Sequence, residues 1–218
     1  YDMAIDYYTS ASELFKDLGQ ENELFRTQNN MGIIYFNQEK YEQALESFFK
    51  AAKILTEVED FSNLAGTYNN ISLCYSNLDQ PDTAMMYLRR SLRLARSSSN
   101  RYTEISARLN MGVLHSLSGL ADSAMFYFDH CLAEADSLGL KQIEVECYNE
   151  MSQHFERFGD YRRALEMQQA YFELYDEMHH ADSRDRIDNL MAGYEQKIKQ
   201  QEIAQLRADQ ETQALINK

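Results

Sequence analysis

Tryptophan is absent from this chain, proline occurs once, and there are only eight glycines and three cysteines in 218 residues. With the two strongest helix breakers so scarce and Ala, Leu, Glu and Gln plentiful, long helices meet little opposition. The cysteines, Cys74, Cys131 and Cys147, are odd in number and share no metal-ligand spacing, so they read as free buried thiols rather than a disulfide framework. No run of 18 apolar residues occurs, so no stretch of the sequence reads as a membrane-spanning helix. Positive charge is also in deficit: 21 Lys and Arg stand against 35 Asp and Glu, a formal net charge of −14. That balance argues against gripping a phosphate backbone, which needs clustered Lys and Arg, and against adhesion to anionic lipid. It favours a soluble surface and a cationic or peptide-like partner.

Catalytic motifs are missing too. There is no Gly-rich phosphate loop, no G-x-S-x-G and no H-E-x-x-H. The histidines are His115, His130, His154, His179 and His180. Glu150 and His154 lie four apart on one helical face but lack a third ligand, and they read as an ordinary surface pair. His179-His180-Ala181-Asp182 reads as a cap or exposed pair at a helix junction. No catalytic residue, no metal ligand and no cofactor is expected; an enzyme with a site hidden in a groove is the remote alternative.

What is present is a repeat. Asn29-Asn30-Met31-Gly32 with Tyr35, then Tyr41 to Leu45 and Phe48, returns 40 residues later as Asn69-Asn70-Ile71-Ser72 with Tyr75, then Pro81 to Met85 and Leu88. It returns again as Asn110-Met111-Gly112 with His115, Ala121 to Met125 and Phe128, and as Glu150-Met151-Ser152 with Phe155 and Tyr161 to Leu165. Alanine stands at 4, 44, 84, 124 and 164 without a miss. Small residues at 32, 72, 112 and 152, each followed twelve positions later by that alanine, let two helix backbones approach. Each unit therefore reads as an antiparallel helix pair whose first helix buries a face at i, i+4 spacing.

This small–aromatic–alanine–aromatic order resembles the tetratricopeptide repeat (TPR), in a variant longer than the usual ~34 residues. The resemblance implies an all-α, right-handed α-solenoid of antiparallel helix pairs with a long C-terminal helix. The array is placed at 1–180: a half repeat at 1–20 and repeats at about 22–58, 61–98, 101–138 and 141–179. A capping or extending helix follows at 181–218. Tyr1-Asp2-Met3-Ala4 aligns with Tyr41-Glu42-Gln43-Ala44, so the chain opens on the second helix of a unit and reads as part of a longer protein. Gly19 and Gly139 suit left-handed helix caps, Gly119 and Gly159 fall at turns, and Pro81 suits a first helical turn.

In the resembled fold the first helices line a concave groove, and Asn29, Asn30, Asn69, Asn70, Asn110 and Asn149 fall on that side. An amide both donates and accepts, so such a ladder can bind the backbone of an extended peptide, with Ile33, Leu73 and Val113 as apolar slots and Gln153 at the same place in the last unit. The competing reading is that the asparagines bridge helices or are merely solvated. The lysines and arginines with which chaperone-binding arrays of this family hold a terminal carboxylate are replaced here by Ile33, Leu73 and Val113, so a carboxylate clamp is not expected. Tyr194-Glu195-Gln196-Lys197 followed by Gln201 to Leu206 and Glu211 resembles the helix closing the sensor half of bacterial membrane-anchored TPR regulators. That implies a periplasmic sensor with a membrane span beginning beyond Lys218, and a homodimer through the C-terminal helix. The expected role is a protein- or peptide-interaction domain in a signalling or transcription regulator, with no nucleic acid bound by this segment. A free-standing cytoplasmic adaptor or peptide-responsive regulator is the alternative.

Overall fold

The computed structural model describes residues 2–179 and 184–216, with side chains at 3–179 and 186–210. Tyr1 and the His180-Ala181-Asp182 junction lie outside the described residues. Among those described, every regular element is an α-helix: α1 (Asp2–Asp17), α2 (Glu21–Asn37), α3 (Tyr41–Glu57), α4 (Phe61–Asn77), α5 (Pro81–Ser97), α6 (Arg101–Leu117), α7 (Ala121–Leu138), α8 (Lys141–Arg157), α9 (Tyr161–His179) and α10 (Arg184–Ile216). Starts at Glu21, Tyr41, Phe61, Pro81, Arg101, Ala121, Lys141 and Tyr161 show that the 40-residue repeat is built from two halves of equal length.

The connectors explain this regularity. Lys40 N–H donates to the Tyr35 carbonyl and Glu39 N–H to the Phe36 carbonyl, both at 2.9 Å. The same two bonds recur at 19/20, 59/60, 79/80, 99/100, 119/120, 139/140 and 159/160. This is the Schellman closure, which satisfies the last carbonyls of a helix and needs a left-handed residue just after it. Gly19, Gly119, Gly139 and Gly159 supply that conformation at φ 63° to 77°, while Glu39, Glu59, Asp79 and Ser99 adopt it at φ 55° to 61°. The next residue begins the following helix. Where it is Asp60, Asn100 or Asp160, its side chain accepts the N–H of Asn63, Thr103 or Arg163 and caps the new helix.

By compactness the chain divides within α7, into Tyr1–Tyr127 and Phe128–Lys218. In the first unit Phe25, Leu45, Phe48, Leu55, Leu64, Ile71 and Cys74 form one cluster and Ala84, Leu88, Ala107, Met111 and Leu114 another. Burial of each large side chain contributes about 1.5–3 kcal/mol. Ala44 and Ala84 are wholly buried, and so are Ala124 and, in the second unit, Ala164. Ala4, on α1, is only half-buried. Gly32 is small for a different reason from close backbone approach: a Cβ there would lie 2.5 Å from the ring of Phe48.

The second unit buries Phe128, Cys131 and Ala135 of α7, Ile143, Val145, Cys147, Met151 and Phe155 of α8, and Ala164 of α9. The Ser152 hydroxyl donates to the Ala164 carbonyl at 2.9 Å, joining the small-residue and alanine positions of that repeat. Helix α10 packs against α9. Its buried anchor is Tyr194, whose hydroxyl reaches Glu156 at 3.4 Å and whose ring lies near Tyr161. Lys197 pairs with the same Glu156. From Lys199 to Gln210 every side chain is exposed, and the attachment of α10 thins to an ion pair of Glu202 with Arg162 at 4.0 Å.

Candidate functional site

In the first unit the expected amides come together in pairs that bridge helices, as the competing reading has it. Asn70 donates from Nδ2 to Asn29 Oδ1 at 3.3 Å, joining α2 to α4. Asn110 donates to Asn69 Oδ1 at 3.0 Å, joining α4 to α6. Both pairs are offset by 41 residues, one more than the repeat, because each helix meets its neighbour one residue along. Asn30 donates to the Tyr8 hydroxyl of α1 at 3.4 Å. All five asparagines are half-buried, as are Leu73 and Val113, while Ile33 is 40% exposed. In the second unit, Asn149 is half-buried and reaches Glu150 at 3.5 Å, and Gln153 is exposed.

Each amide has two N–H donors and a carbonyl with two lone pairs. One bridging bond leaves a free donor group on Asn29 and a free acceptor on Asn70, and likewise on Asn69 and Asn110. The bridging order therefore fixes in place a donor and an acceptor per helix step. That is the complement a peptide backbone presents.

The histidines have other work. His115 is half-buried and stacked on Tyr127, with ring centroids 5.4 Å apart. His154 is not a surface residue: it is 2% exposed, within 4.8 to 5.6 Å of the Phe128, Phe155 and Phe158 rings. Burial, and then the positive charges of Arg157 and Arg163, lower its pKa and favour the neutral ring. Burial raises Glu150 above the usual carboxylate range. Among the described residues, no group of three or more His, Cys, Asp or Glu side chains is placed to hold a metal ion. All three cysteines are buried; burial pushes the Cys74 thiol up to about 12 and Cys147 upward as well, which suppresses the nucleophilic thiolate.

Sequence reasoning passes over one polar cluster. Glu104 on α6 is 3% exposed and accepts from Arg96 at 2.9 Å, from Arg101 and from Arg108. Burial pushes its pKa up, but the hydrogen bond from Arg96 and the charges of Arg108 and Arg101 outweigh that and hold it below the ordinary value. The available signal was the local composition: residues 89–108 hold six arginines and one carboxylate.

Comparison with known proteins agrees with this architecture. Residues 23–97 match the tetratricopeptide repeat family. The chain is similar to BtubC (BKLC) from P. vanneervenii, at 16% identity and a TM-score of 0.70, covering 96% of this chain and 91% of that one. It is similar to the Rap conjugation gene regulator of plasmid pLS20, solved in complex with the Phr* peptide, at 19% identity and a TM-score of 0.64 over 72% of this chain and 44% of the other. A Rap protein complexed with competence and sporulation factor is similar at 15% identity and a TM-score of 0.57, over 88% and 59% of the two chains. The chain thus spans about half the length of the Rap proteins. At these identities the likeness is one of fold, a TPR-like α-solenoid. No curated protein matches the sequence.

Proposed function

We propose that this chain is a protein-interaction module whose α2–α4–α6 face receives an extended peptide segment, within a bacterial signalling or transcription regulator. The observation that carries this reading is the pairing of Asn29 with Asn70 and Asn69 with Asn110, which joins α2, α4 and α6 and leaves one amide donor and one acceptor of each pair unengaged. Backbone recognition by ordered amides is tolerant of sequence, and the aliphatic slots add selectivity for apolar side chains. A second reading, a peptide-responsive regulator free in the cytoplasm, is favoured by the fold likeness to a Rap regulator solved with a bound peptide. Among the described residues no helix is long and apolar enough to cross a membrane. Periplasmic placement and a homodimer through α10, where Ile203 and Leu206 are 50% and 61% exposed, belong to the first reading.

The test is a random-peptide selection on the intact chain, followed by titration of the selected peptides against Asn70→Ala, Asn110→Ala and Leu73→Glu. A loss of roughly tenfold or more in each folded variant supports the face. Unchanged affinity in all three sinks it.

A further inference from the structure

A second surface lies on the opposite side of α4. At 100° per residue, Phe61, Leu64 and Tyr68 lie about 120–180° around the helix from Asn70 and Leu73. They border a cleft of about 420 Å³ closed by the end of α3 and the second half of α5, which contributes Arg90, Arg93 and Leu94. Phe61 is 43% exposed at its mouth. Arg90 lies over the Tyr87 ring, 5.4 Å from its centroid, and Tyr87 in turn packs on Tyr68 and Tyr75. A neighbouring hollow of about 660 Å³ on α5 is lined by Met85, Met86, Arg89 and Arg93, with Asp82 at its N-terminal end.

Charge on α5 is arranged differently from charge on α3. On α3 the exposed cations are paired on their own helix, Lys50 with Glu46 and Lys53 with Glu57. Arg89, Arg90 and Arg93 have no carboxylate within ion-pairing distance among the described residues. Arg89 and Arg93 are i, i+4 and Arg90 and Arg93 are i, i+3, so the like charges repel and weaken the helix. An arrangement that costs stability in the free chain, beside an open apolar cleft, is relieved by an anionic partner.

We propose that this cleft docks an acidic peptide segment bearing one apolar side chain. The apolar group enters between Phe61, Tyr68 and Leu94, and flanking Asp or Glu carboxylates pair with Arg90, Arg93 and Arg89. Guanidinium groups suit this role because they bind carboxylates two-pronged. A short peptide is favoured over nucleic acid by the net charge of −14: a long phosphate backbone leaving the patch crosses an acidic surface, whereas a short segment stays within the arginine row.

The probe is a fluorescein-labelled dodecapeptide of Asp and Glu with one central Phe, titrated against the whole chain by fluorescence anisotropy at low and high salt. Wild type is expected to bind at low salt and weaken as salt rises. Arg90→Glu with Arg93→Glu is expected to lose roughly tenfold or more, as is Phe61→Ala, while Lys16→Glu, a like charge change at an exposed position of α1, binds as wild type. Melting curves for each variant separate lost binding from lost folding. The proposal is overturned by any of four results: no binding by wild type, equal binding by a folded arginine variant, equal binding of an Asn/Gln version of the peptide, or equal binding of a single-stranded oligonucleotide of the same charge. An equal defect in Lys16→Glu would mark the loss as one of net charge and also overturn it. Failure of the random-peptide selection leaves this result unaffected, so the two faces are judged separately.

Discussion

Replacing Gly32 with alanine sets two effects against each other. The intrinsic gain in helix propensity is about 1 kcal/mol. Against it, the new methyl falls 2.5, 2.6 and 2.8 Å from Cε1, Cδ1 and Cζ of Phe48. Phe48 is 1% exposed within a cluster containing Leu45, Leu55 and Ile71, so its ring has little room to retreat. Overpacking of this kind costs about 1–3 kcal/mol, and three contacts this short place it toward the upper end. The expected net destabilisation is about 1–2 kcal/mol, where an ordinary helical glycine would gain stability. The sequence suggests the remedy. Gly32 and Gly112 stand sixteen residues before Phe48 and Phe128, whereas Ser72 and Ser152 stand before Leu88 and Gln168. Phe48→Leu alone opens a cavity and costs about 1–2 kcal/mol. Combined with Gly32→Ala, it lets the methyl occupy that space. The double variant is expected to be more stable than the sum of the single changes by about 1–2 kcal/mol. Urea denaturation of all four proteins, followed by far-ultraviolet circular dichroism, measures the coupling. Additivity within about 0.5 kcal/mol would refute the claim that this glycine exists for this ring.

Removing the charge of Glu104 strands three arginines around a buried amide, and Glu104→Gln is expected to cost about 2–4 kcal/mol, moderated because Arg96 and Arg101 reach water. Because the folded pKa of Glu104 is lowered, its contribution is complete above the ordinary value near 4.5 and is lost as pH falls through the folded pKa. The glutamine variant should lack that acid-side slope in the urea midpoint. His154 acts in a higher window: its folded pKa is lowered, so the unfolded chain takes up the proton first and stability falls as pH drops below about 6.5. His154→Phe should flatten the curve there, and an unchanged slope would assign it to another group. Ser99→Gly relieves left-handed strain of about 1–2 kcal/mol at a cost in unfolded-chain entropy of about 0.5–1 kcal/mol, so a melting temperature raised by a few degrees is expected. A lowered one would show that the serine conformation is unstrained.

The residues that made the fold legible are those with a steric reason to recur. Alanine 44, 84, 124 and 164 are wholly buried, and no larger side chain fits where two helices cross. Four of the eight left-handed caps were visible as glycine, and Glu39, Glu59, Asp79 and Ser99 were not, because a backbone angle leaves no trace when an ordinary residue adopts it. The half-length period was hidden for a related reason: first and second helices match in length but bury different faces. The asparagines could be placed on one side of the array, yet their partners are offset from the repeat by one residue, a shift that only helix packing sets. His154 was misplaced on the surface because its sequence neighbour Glu150 suggested a polar pair. The rings of Phe128 and Phe158, which enclose it, come from another helix and from the end of its own. The arginines of α5 and α6 were masked by a whole-chain charge of opposite sign.

The eight joints between helices among the described residues are interchangeable parts. Because each is closed by the same two backbone bonds and occupies the same three positions, the chain can be cut at residue 39 and rejoined at residue 80 without inventing a new corner. Growth or loss of such an array by whole hairpins therefore meets no geometric obstacle at the seam. The number of copies is then set by which residues each new hairpin presents to its neighbours, and hence by selection on contacts rather than on connections.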